Sequence, residues 1–111
     1  MDHRAPSPAA QAAYQAVAEE LAATAGTQIS QMFGLPTLKD SGKAFAGLHA
    51  DAMMFKLTGG PHAEALALPG ARLFDPMGGR PMREWVEVPV AHAAAWPALA
   101  HAALAYRRSK A

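Results

Sequence analysis

Ala44-Phe45-Ala46-Gly47-Leu48-His49, then Met53-Met54-Phe55-Lys56-Leu57, are the residues whose reading decides the fold. In an extended chain Ala44, Ala46 and Leu48 fall on one side and Phe45, Gly47 and His49 on the other. Met53, Phe55 and Leu57 alternate in the same way with Met54 and Lys56. A turn around Asp51 joins the two runs into an antiparallel hairpin.

Upstream, Lys39-Asp40-Ser41-Gly42-Lys43 has the polar and Gly content of a further turn. Residues 27–33 alternate weakly and predict one more strand, interrupted by Gly34-Leu35-Pro36. Before it, Ala10, Tyr14, Val17 and Leu21 recur at intervals of three and four, which predicts a helix over 8–25. Ser7 is its cap, Pro8 its first residue and Gly26 its stop. Downstream of the hairpin, Gly59-Gly60-Pro61 precedes a helix predicted over 62–68, closed by Pro69-Gly70. Residues 71–74 predict an edge strand, 75–81 a loop and 82–88 a strand ended by Pro89. A last helix is expected from Trp96-Pro97 to Arg108, with Arg107, Arg108 and Lys110 at the end that its dipole makes favourable for cations. The expected class is α+β. It has an antiparallel five-stranded sheet with helices on one face, in the order α-β-β-β-α-β-β-α.

The chain has 111 residues, enough for one domain with one modest core. We expect a flexible leader over 1–7, the domain over 8–108 and a tail over 109–111. Although 51% of residues are hydrophobic, 28 residues are Ala, so the core must rest on the larger side chains. The net charge of +1 provides no broad field for wrapping a polyanion. Zero cysteines exclude disulfides, thiolate metal sites and cysteine nucleophiles. No apolar run reaches membrane-spanning length and residues 1–6 lack a secretory pattern, so a cytoplasmic location is expected.

The order Met32-Phe33-Gly34, Gly42-Lys43, Ala44 to Leu48, Met53 to Leu57 and Trp85-Val86-Glu87-Val88-Pro89 resembles the N-terminal domain of the TfoX/Sxy competence regulators. The resemblance runs from about Gln31 to Leu104 and implies the same α+β arrangement. Larger members of that family join this module to a C-terminal domain associated with nucleic-acid recognition, and a stand-alone first module without that domain is the expectation here. The resemblance brings no catalytic residue with it. The Gly78-Gly79-Arg80 turn departs from the family pattern.

No constellation for chemistry stands out. His3, His49, His62, His92 and His101 lack metal-ligand spacing, and no Gly-x-Ser-x-Gly elbow presents a nucleophile. Asp51, Glu64, Asp75, Glu84 and Glu87 read as a solvated surface, Glu84 being the acid–base candidate least easily set aside. Neither a cofactor nor a metal is expected. The anion-binding candidate is Gly78, Gly79 and Arg80 with Arg72 and Arg83, where flexible amides and guanidiniums suit a phosphate or carboxylate. Gly59-Gly60 ahead of a helix is a weaker site of the same kind.

Adjacent Met53 and Met54 point to opposite sides, so apolar groups lie on both faces of the sheet. Phe45, Met54 and Trp85 are the candidate interaction surface, with Met77 and Met82 as adaptable neighbours. The expected function is a non-catalytic module acting by protein contact, with a homodimer as one form of that contact. The alternative is a nucleic-acid or anion binder using the Arg-containing loop and Arg107-Arg108.

Overall fold

The computed structural model describes residues 5–32, 34–75 and 78–110. His3, Phe33, Met77 and the first four residues of the leader lie outside them. Helix α1 spans Pro8–Ala25 and starts as its sequence dictates: the Ser7 hydroxyl accepts from the Ala10 amide at 3.2 Å, and Pro8 occupies the first turn. Gly26 ends it at φ 72°, a left-handed conformation in which glycine carries no Cβ penalty.

Six strands follow in one antiparallel sheet: β1 (Gln28–Met32), β2 (Leu35–Asp40), β3 (Lys43–His49), β4 (Ala52–Lys56), β5 (Arg72–Phe74) and β6 (Met82–Pro89). Their spatial order is β1-β2-β3-β4-β6-β5. Helix α2 (Gly59–Leu66) lies between β4 and β5 in the chain. A 3-10 helix (Val90–Ala95) and α3 (Trp96–Ser109) complete it.

The sheet therefore has one strand more than the five expected, and the order is α-β-β-β-β-α-β-β-α. The addition is β2, which spans residues expected to be a bend and part of a turn. Pro36 suggested a break, yet it pairs with Gln31 at the outer end of the β1–β2 hairpin, where a missing amide is tolerated. The turn itself shrinks to Ser41 and Gly42, both at positive φ, as a tight two-residue hairpin requires.

A second correction concerns Phe45. Between Leu38 and Lys39 the β2–β3 register slips: Leu38 pairs with Ala46 but Lys39 pairs with Ala44, which leaves Phe45 as an extra residue. This bulge breaks strict alternation, and Phe45 turns into the core instead of facing outward.

One hydrophobic cluster holds the molecule together. Tyr14, Val17 and Leu21 of α1, Ala65 of α2, and Trp96, Ala100 and Leu104 of α3 pack with Leu38, Phe45, Leu48, Met53, Phe55, Val86 and Val88 of the sheet. Each large side chain so buried contributes about 1.5–3 kcal/mol. Among the described residues, the buried residues of all three helices belong to that one cluster; on the other face of the sheet Met54 pairs with Glu87 and Lys56 with Trp85.

Candidate functional site

The structure places the expected anion loop in another role. Asp75 ends the segment after β5, and its carboxylate accepts from the amides of Gly78 at 2.8 Å, Gly79 at 2.9 Å and Arg80 at 3.3 Å. The flexible amides thus form a cradle, but it is filled by the chain's own anion. Arg72 donates Nε to Glu87 at 3.0 Å, and Glu87 also lies 3.5 Å from His49 Nδ1. Arg83 lies four residues from Glu87 along β6, about 13 Å at strand spacing. Its carbonyl faces His62 Nε2 at 2.7 Å.

The basic end of α3 is likewise engaged. Arg108 reaches Asp40 and the Ala25 carbonyl, and Arg107 donates Nε to the Asp40 carbonyl at 3.3 Å. Of the cations in the second functional reading, Arg80, Arg83 and Arg107 have side chains with no ion pair among the described residues.

On the outer face, Met54 is already covered. Gly47 offers no side chain beneath it, and a Cβ placed there would sit 3.1 Å from Met54 Cε. Trp85 is half-buried on the same face, and Phe74 meets His49 edge-on with ring centroids 5.4 Å apart. With Phe45 in the core and Met54 at 6% exposure, the expected patch is reduced to Trp85 and its neighbours.

Glu84 accepts a short hydrogen bond from the Tyr106 hydroxyl. That bond chiefly holds its carboxyl below the usual range; burial opposes this, and Lys110, Lys56 and His62 assist it. His92 faces the Pro69 carbonyl and His101 pairs with Glu20. No group of three or more metal-ligating side chains occurs among the described residues.

Exposed large apolar side chains occur elsewhere. Ile29 is 51% exposed and Met32 38%, both on β1, and Met82 is 43% exposed on β6. Ile29 pairs with Leu38 and so lies on the same side of the sheet, yet Leu38 is buried and Ile29 is not. Strand β1 has β2 on one side and, among the described residues, no strand on the other. Its residues Gln28-Ile29-Ser30-Gln31-Met32 include no charge, no proline and no irregularity of pairing. The opposite edge differs: β5 has three residues, carries Arg72 and pairs irregularly with β6 between Leu73 and Phe74. A short, charged, bulged edge resists further pairing, and a neutral regular one invites it. Lack of charge and proline in 28–32 was readable in the sequence; that this strand lies at an edge was not.

No helix among the described residues is long and apolar enough to cross a membrane. The chain matches no family model, no curated protein and no solved structure.

Proposed function

We propose that this chain is a module resembling the N-terminal domain of the TfoX/Sxy competence regulators, acting by protein contact without a reaction of its own. The contact is made by β1 pairing with β1 of a second copy. The observation that supports this is the difference between the two edges of the sheet: β5 is guarded and β1 is open. An antiparallel pairing about Ser30 sets Gln28 opposite Met32 and Ile29 opposite Gln31 of the other copy. No charge opposes another across that two-fold, and the interface is isologous.

The outer sheet face contributes less, because Met54 is covered and Phe45 is internal. A nucleic-acid role through the Gly78–Arg80 loop and Arg108 is disfavoured by the partners already held there, Asp75 and Asp40.

Because the chain contains no cysteine, Ser30→Cys introduces a single thiol. Directly opposed strand residues have Cβ atoms about 4.5–5.5 Å apart, close to disulfide reach. Mild oxidation is expected to convert S30C to a covalent dimer, and to leave Arg72→Cys, on the opposite edge strand β5, monomeric. Equal cross-linking of the two variants would contradict the pairing.

A further inference from the structure

Lys43 opens β3 and Lys56 closes β4, so the hairpin register brings both to the same end of the sheet. The last turns of α3 cross that end, tied down by Arg107 and Arg108 on Asp40. Between them lies a cavity of about 90 Å³ lined by Lys43, Ala44, Lys56, Tyr106, Arg107 and Lys110.

The lining gathers 4 of the chain's 10 lysines and arginines around one small space, in a protein whose net charge is only +1. Two carboxylates lie near it: Asp40, cross-strand from Lys43, is held by Arg108, and Glu84 stands beside Lys110. Glu84 lies 4.0 Å from Lys110 and already accepts from Tyr106. The carbonyl end of α3 adds the equivalent of about half a negative charge, too little to balance the rest. The Lys43 side chain has no ion pair or hydrogen bond among the described residues, and Arg107 uses only Nε, which leaves its two terminal nitrogens free to donate. Lys110 lies 5.0 Å from the Tyr106 ring centroid, a contact that holds the amine at the rim.

Unpaired cations on a solvated surface, such as Arg80, are ordinary; what marks this end of the sheet is that several converge on one concave space. Here convergent donors outnumber acceptors within a concave, partly low-dielectric surface, which concentrates positive potential. We infer that this cavity binds the phosphate group of a small ligand, through Lys43, Arg107 and Lys110. The space is far below that of a drug-sized pocket, so the phosphate is held and whatever bears it extends into solvent. A planar guanidinium beside flexible ammonium groups suits a tetrahedral dianion. No residue of β1 lines the cavity, so the site is complete within one copy.

The test is titration of the ¹⁵N-labelled full chain with inorganic phosphate, at ionic strength held constant with sodium chloride. Saturable shifts are expected at the amides of Lys43, Tyr106 and Lys110. The same amides are expected to respond to adenosine 5′-monophosphate and to be silent to adenosine. Lys43→Ala with Lys110→Ala, both exposed positions, is expected to weaken binding by at least about tenfold, as loss of hydrogen bonds to a charged group implies. Arg80→Ala with Arg83→Ala is expected to leave the affinity unchanged, and the single variant Lys43→Glu to abolish binding. Shifts that never saturate, that follow ionic strength alone, that appear with adenosine, or that weaken equally with the Arg80 and Arg83 variants would each overturn the proposal.

Discussion

Arg108 holds the carboxylate of Asp40, 68 positions away in the chain, through Nη2 to Oδ1 at 3.1 Å and Nε to Oδ2 at 3.3 Å. The same Nη2 donates to the Ala25 carbonyl at 2.7 Å. One guanidinium therefore fastens the end of α3 to the β2–β3 turn and to the end of α1. Its side chain is 49% exposed and Asp40 is 13% exposed, so solvent screens part of the attraction. We predict that Arg108→Ala destabilises the protein by about 1–2 kcal/mol in urea denaturation, and that Arg108→Lys recovers less than half of that, because an ammonium cannot make the paired contact.

Tyr14 presents the opposite case. Its hydroxyl is buried with no hydrogen-bond partner among the described residues, and burial pushes its pKa up to about 12 from 10.0. A folded-state pKa raised in this way gives stability that is complete below pH 10.0 and is lost as pH rises towards about 12. Tyr14→Phe removes both the unpaired hydroxyl and this dependence. At neutral pH it is predicted to be neutral or stabilising by up to about 1 kcal/mol. Thermal unfolding is predicted to show a smaller alkaline loss in the variant than in the parent chain.

Tyr106 and Glu84 predict an acid-range effect. The hydroxyl's hydrogen bond lowers the Glu84 pKa from 4.5, so its contribution is present above 4.5 and is lost as pH falls through the lower folded value. Tyr106→Phe is predicted to melt lower than the parent at pH 7. The gap is predicted to narrow when both are measured below the carboxylate range; a gap independent of pH would contradict the assignment.

Gly47 is required by close packing. A Cβ there would lie 2.9 Å from the Pro36 carbonyl oxygen, which is backbone and does not swing away. Gly47→Ala is predicted to cost about 1–3 kcal/mol, read as a lower denaturation midpoint with unchanged slope.

Local chemistry made much of this fold legible. Ser7, Pro8 and Gly26 bound α1 because capping and left-handed backbone geometry are properties of single residues. The β3–β4 hairpin follows from its alternation, and Trp96-Pro97 marks the start of α3. What was not legible depends on partners distant in the chain. Strand β2 was hidden because Pro36 is a breaker everywhere except near the end of a ladder. The bulge at Phe45 exists only because β2 is there to slip against. In the candidate site, Gly78, Gly79 and Arg80 have the residue types of an anion cradle and form one; that Asp75 fills it is a matter of geometry. Arg107 and Lys110 were read as dipole partners, and their convergence with Lys43 and Lys56 requires the tertiary crossing of α3 over the hairpin end.

The open edge of β1 is tested most directly by sedimentation equilibrium of the intact chain across a wide concentration range, beside Ile29→Lys and Met32→Lys. The parent is predicted to dimerise reversibly, and each lysine variant to sediment as a monomer whose thermal midpoint matches the parent's in dilute solution, where the parent too is monomeric, since both side chains are already exposed. A parent chain that sediments as a monomer up to its solubility limit, or lysine variants that dimerise as the parent does, would contradict the account.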